Sequence, residues 1–108
     1  MKLLRTTLVV ALTATATLTA SASSRKQRAR GAALFSDVGC LHCHTIHEQG
    51  GTKGPNLSGV GRKLSEAQIR AQILGGGRQM PSFQNVLQKS ETDDLVAYLR
   101  SCRDKKDK

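Results

Sequence analysis

The chain has 108 residues, 38% of them hydrophobic, and its aromatic side chains are Phe35, Phe83 and Tyr98. That length excludes a second domain, and so few large apolar side chains make a marginal core on their own. The formal net charge is +9, yet basic and acidic residues balance between Gly31 and Leu99, so the excess lies toward the two ends.

Residues 1–22 read as a cleaved signal peptide. Lys2 and Arg5 make a positive start, an apolar stretch opens over Leu8 to Leu12, and Ala20-Ser21-Ala22 is an A-x-A cleavage site. The apolar run is rich in threonine and shorter than the ~20 residues a spanning helix needs, which ranks an uncleaved anchor second. The segment has no cysteine to carry a lipid. Export to the periplasm is therefore expected, with a basic tail over 23–30, one domain over 31–102 and a charged tail over 103–108.

The basic tail holds Arg25, Lys26, Arg28 and Arg30, and Arg103, Lys105, Lys106 and Lys108 enrich the other end. Solvated ends are the plain reading. The functional one is steering toward an acidic partner protein or contact with anionic lipid headgroups. Nucleic acid is not expected, because no aromatic residues interleave with the charge.

A first helix is predicted from about Arg28 to Val38, with Ala32, Leu34, Phe35 and Val38 as its apolar positions and Gly39 as its stop. Gly31 and Phe35 are one turn apart and share a face. The helix delivers Cys40-Leu41-His42-Cys43-His44, the Cys-x-x-Cys-His attachment signature of haem c. Each thiol can add to one vinyl group, and the adjacent His44 then lies under the iron as its proximal ligand. Two other chemistries use such cysteines. A redox dithiol expects a βαβ setting, which the flanking sequence does not offer. Zinc could draw on Cys40, Cys43, His44 and His47, but ligands this close in sequence do not wrap a tetrahedron comfortably. A buried haem also supplies the apolar volume that the aromatic-poor core lacks.

From Thr45 to Arg62 the chain reads as loop, punctuated by Gly50-Gly51, Gly54-Pro55, Gly59 and Gly61. A loop of that length in a small domain suits a segment that wraps something. A second helix follows, with Ser65 and Gln68 as a capping box, Leu64 and Ile69 as a hydrophobic staple, and Ile69, Ile73 and Leu74 as an apolar stripe. Gly75-Gly76-Gly77 ends it.

Next comes Arg78-Gln79-Met80-Pro81-Ser82-Phe83. Met80 is the sole methionine once residues 1–22 are removed, and it sits in a loop shaped by glycine and proline. A thioether is a soft iron ligand, so Met80 is the expected distal ligand opposite His44. The alternatives are a gap-filling methionine or ligation by His47, which follows His44 too closely to reach the opposite face; His42, inside the attachment loop, is worse placed. A last helix is predicted from Ser90, capped with Asp93 and started by acidic Glu91, Asp93 and Asp94. Leu95, Val96, Tyr98 and Leu99 form its buried face, and Arg100 and Arg103 close it. No segment alternates like a strand, so the domain is expected to be all-α.

With Cys40-x-x-Cys43-His44, the Gly54-Pro55-Asn56-Leu57 loop, Met80-Pro81-x-Phe83 and the terminal Leu95-Val96-Ala97-Tyr98-Leu99 helix, residues 28–102 resemble a small bacterial class I cytochrome c. The resemblance implies a compact fold of three or more helices wrapped around one covalent haem. It implies that the first and last helices cross, a contact that Gly31, Phe35 and Tyr98 match. It also implies that the Pro55 carbonyl accepts a hydrogen bond from the His44 ring, which orients the ligand. Cys102 departs from the pattern: with two cysteines in thioethers it has no intramolecular partner, leaving a buried thiol or a Cys102-linked dimer of a chain otherwise expected to be monomeric.

Filled axial positions leave the iron no open site. The expected function is accordingly an exported single-haem electron carrier that docks briefly on redox partners, with no catalytic residues and no enzymatic turnover. The alternatives are a haem subunit of a larger oxidoreductase, or a peroxidase or gas sensor with a labile Met80.

Overall fold

A computed structural model describes residues 21–105. The signal-peptide reading falls, apart from Ser21 and Ala22, outside the described residues, as does the end of the charged C-terminal segment.

Helix α1 runs through residues 21–37. It reaches back past the expected start near Arg28, so that residues 23–30, whose composition marks a basic tail, are helical. Arg, Lys, Gln and Ala are good helix formers, and no Gly or Pro interrupts them before Gly31. Gly39, at φ 91, turns the chain into a 3₁₀ turn over Cys40–His42.

The stretch expected to be loop contains three short elements. Strands β1 (Thr45–Ile46) and β2 (Gln49–Gly50) pair antiparallel, joined by His47 and Glu48, both at positive φ, as a two-residue hairpin turn requires. Two-residue strands are too short to show alternation in a sequence. Helix α2 (Val60–Lys63) is a single turn. Among the described residues no helix is long and apolar enough to cross a membrane.

Helix α3 (Glu66–Gly75) starts as expected, with the Ser65 side chain accepting from the Gln68 backbone N–H and the Gln68 side chain accepting from Ser65. Ile69 and Ile73 are buried, whereas Leu74 is only partly so. Helix α4 (Lys89–Ser101) begins one residue before Ser90, and its cap is Gln88, which exchanges side-chain and backbone hydrogen bonds with Glu91. Asp93 is consequently free of capping and pairs with Arg70 at 2.8 Å and Lys89 at 3.3 Å.

The core joins Phe35 of α1, Val60 of α2, Ile69 and Ile73 of α3, and Leu95, Val96 and Leu99 of α4. Helices α1 and α4 cross at Gly31, where a Cβ would lie 2.1 Å from the Asp94 carbonyl oxygen and 2.6 Å from Tyr98 Cβ. Beside the crossing, Phe35 and Tyr98 meet edge to face with ring centroids 5.9 Å apart, a favoured aromatic geometry. Arg30 closes it on the outside through its Nε, 3.1 Å from Asp94. The helix crossing and the all-α architecture are thus as the resemblance implied, with the small hairpin added.

The C-terminal residues are docked where described. Arg100 donates to the carbonyls of Gly61 and Leu64, and Arg103 to that of Gly61. These arginines satisfy the open carbonyl end of α2 rather than that of their own helix. Asp104 donates its backbone N–H to Ser58 and accepts at its carboxylate from His47 at 3.0 Å.

Candidate functional site

The attachment loop is held by short backbone bonds. His44 N–H donates to the Cys40 carbonyl at 3.0 Å and Cys43 N–H to the same oxygen at 3.2 Å, which folds the two thiols and the imidazole into one turn. Gly54 N–H returns to the Cys43 carbonyl at 2.7 Å, bringing the next loop alongside. The ring of His44 lies against Gly54, where a Cβ would sit 2.7 Å from Cε1 and 2.8 Å from Nδ1. Only a glycine permits that approach.

Nδ1 of His44 is 2.8 Å from the Pro55 carbonyl oxygen. A carbonyl can only accept, so Nδ1 carries the proton and Nε2 keeps a lone pair for a metal. This is the tautomer that a proximal ligand needs.

His44 lines an apolar cavity whose walls include Phe35, Leu57, Ile69, Leu95 and Leu99. Cys40 and Met80 line the same cavity, and Cys43 and Pro55 line the wider cleft into which it opens. The five expected site residues, Cys40, Cys43, His44, Pro55 and Met80, therefore converge on one opening. Burial pushes the Cys40 thiol above its ordinary pKa, against an opposing backbone hydrogen bond and with some help from Cys43. It is thus held in the protonated form.

The Met80 loop is tied to the end of α3. Gly76, at φ 68, makes the turn, Gly77 N–H donates to the Met80 carbonyl at 2.9 Å, and Phe83 N–H to the Ile73 carbonyl at 3.1 Å. The Ser82 hydroxyl donates to the Leu74 carbonyl. One contact to the sulfur itself had no sequence signal: Gln72 Nε2 donates to Met80 Sδ at 3.6 Å.

Of the other histidines, only His42 borders the wider cleft, and neither lines the apolar cavity. His47 is engaged by Asp104 and does not line the cavity, and His42 is exposed. Among the described residues no group of three or more His, Cys, Asp or Glu side chains is arranged to hold a metal ion, so the zinc reading has no geometry behind it. Cys102 is 2% exposed, and its thiol donates to the Tyr98 carbonyl at 3.4 Å. Lys53, Lys63 and Arg78 line the wider cleft together with Asp37, a basic contribution that the emphasis on the tails overlooked.

An apolar pocket, two thiols and an imidazole with a fixed tautomer fit a covalently attached haem. Comparison with known proteins agrees. Residues 26–99 match the family model described as cytochrome C oxidase, cbb3-type, subunit III. Cytochrome c-550 of Bacillus subtilis is 35% identical over 60 residues, covering 56% of this chain and 48% of that protein. A cytochrome c-553-like protein of Synechocystis sp. is 37% identical over 73 residues, 67% of this chain and 66% of its own length. The chain thus spans less than two thirds of either relative. The fold is similar to that of the c-type cytochrome SorU from Sinorhizobium meliloti, with a TM-score of 0.62, 24% identity, and coverage of 73% of this chain and 93% of that one.

Proposed function

The chain belongs to the c-type cytochrome family that this model describes, with Cys40 and Cys43 as the thioether residues of a covalent haem c, and on that premise we propose that it is an exported single-haem electron carrier with His44 and Met80 as axial ligands. The observation that carries the reading is the convergence of His44 and Met80 on one apolar cavity. Bound there, haem iron supplies a one-electron ferrous/ferric couple.

The protein's residues do the rest. Phe35, Leu57, Ile69, Leu95 and Leu99 exclude water from the pocket, which disfavours the ferric charge. Pro55 holds the His44 imidazole in orientation. The Met80 sulfur, as the second ligand of a bound haem, would raise its potential and close the iron to external ligands. Lys53, Lys63 and Arg78 at the cleft favour redox partners with an acidic docking surface, for which complementary charge raises the encounter rate. No substrate turnover is assigned.

A second reading is that the chain is a haem subunit or module of a larger oxidoreductase, which the description of the matched family as an oxidase subunit favours. Size-exclusion chromatography of gentle extracts separates the two: a monomer supports the carrier, comigration with a large complex the subunit.

The test of the carrier is the spectrum and potentiometric titration of the haem-loaded protein. A far-red band of sulfur-ligated ferric haem with a reversible one-electron wave is expected. Carbon monoxide binding to the reduced protein at low concentration would instead place it among ligand-binding haem proteins.

A further inference from the structure

We propose that the outer face of helix α1 is a docking surface for an anionic lipid membrane, holding the protein there with its haem cleft free. This role does not depend on which residues ligate the iron. Residues 21–36 include no acidic side chain, and Arg25, Lys26, Arg28 and Arg30 crowd one short stretch of them. Arg30 pairs with Asp94 at the crossing with α4, yet its side chain remains 59% exposed.

The helical repeat sorts the faces of α1. With about 3.6 residues per turn, the buried Gly31 and Phe35 lie on one side, while Arg25, Lys26, Ala29, Ala33 and Ser36 lie on the other, all exposed. Besides its two cations this outer face carries only small side chains, so nothing bulky holds it off a flat surface. It has no large apolar residue to insert among acyl chains, and its affinity for a neutral bilayer is correspondingly weak. What remains is attraction between the cations and anionic headgroups.

The position of the charge selects a membrane over an acidic redox partner. Such a partner must dock at the cleft, and none of Arg25, Lys26, Arg28 and Arg30 lines the cleft or the cavity. Phe35 is the residue through which α1 meets the cavity, and Arg25 lies about 15 Å from it along the helix axis, on the opposite face. A membrane bound to the outer face therefore leaves the cleft open to partners.

The test is co-sedimentation of the haem-loaded protein, as the cell produces it, with phosphatidylcholine vesicles containing phosphatidylglycerol and with phosphatidylcholine alone. Binding to the anionic vesicles that high salt abolishes is expected. Arg25→Gln, Lys26→Gln and Arg28→Gln together should weaken it roughly a hundredfold, at about fivefold for each cation. Glutamine is a good helix former, and the haem spectrum and helical content check that the variant is folded. Lys53→Gln, Lys63→Gln and Arg78→Gln together remove the same charge at the cleft and should weaken binding far less.

Equal losses in the two triple variants overturn the proposal, because net charge alone then drives binding. Equal binding to the neutral vesicles overturns it too, since an apolar segment is then the anchor. So does vesicle binding that survives the α1 substitutions while binding to poly-glutamate is lost, which makes an acidic protein the occupant.

Discussion

His44 donates from Nδ1 to the carbonyl of Pro55, eleven residues away along the chain and 2.8 Å away in space. The loop that carries this acceptor can lie so close only because residue 54 has no side chain. A methyl group there meets the imidazole at 2.7–2.8 Å, so Gly54→Ala is expected to push the ring from its acceptor. Loss of such a bond typically weakens a ligand's hold by roughly 10–100-fold. A less basic imidazole stabilises ferric iron less, so the potential should rise while the proportion of chain recovered with haem falls. Potentiometry and a haem-to-protein ratio check both.

Met80→Ala removes the sulfur and leaves Cys40, Cys43 and His44 in place. Covalent haem should persist, the far-red band disappear, the potential fall and carbon monoxide bind to the reduced protein. A potential unchanged from that of the parent protein would remove Met80 from the ligand set.

At the α1/α4 crossing the backbone of Gly31 approaches the Asp94 carbonyl and Tyr98. A Cβ at 2.1 Å from that backbone oxygen cannot be accommodated by a side-chain rotation; the helices must separate. Gly31→Ala is expected to cost about 1–3 kcal/mol, the range for overpacking a core contact, read as a lower denaturation midpoint at unchanged slope.

Tyr98 packs on Phe35 and has its pKa raised to about 12, chiefly by burial and secondarily by the neighbouring Cys102. The folded state therefore keeps the phenol protonated where the unfolded chain has begun to release it. This contribution is complete below pH ~10, where the unfolded phenol titrates, and is lost as pH rises through the folded value. Tyr98→Phe should flatten the decline of stability over that alkaline window. Because Tyr98 is the chain's one tyrosine, NMR of its ring carbon gives the titration directly.

Much of the site was legible because its chemistry is local. Cys40, Cys43 and His44 are neighbours, and attachment demands that spacing whatever the fold. Ser65 and Gln68 likewise satisfy each other across one helical turn. Helix α4 starts before Ser90 because the reciprocal bonds of Gln88 and Glu91 outcompete the Ser90 hydroxyl. Helix α2 and the strands of the hairpin leave no pattern in the sequence because each spans about one period of its own repeat. The basic segment before Gly31 is helical because its residues are helix formers, which a count of charge does not record.

The sequence by itself determined the cofactor, the Cys-x-x-Cys-His spacing that fits its attachment and the helical character, since each follows from residue type and short-range spacing. Only the tertiary structure decided that Gln72 reaches the Met80 sulfur, that Arg100 and Arg103 serve the carbonyls of α2, that His47 turns to Asp104, and that Cys102 is sealed. These partners are set by where distant stretches of backbone meet. That depends on packing through Gly31, Gly54 and the core as a whole, and no local pattern records it.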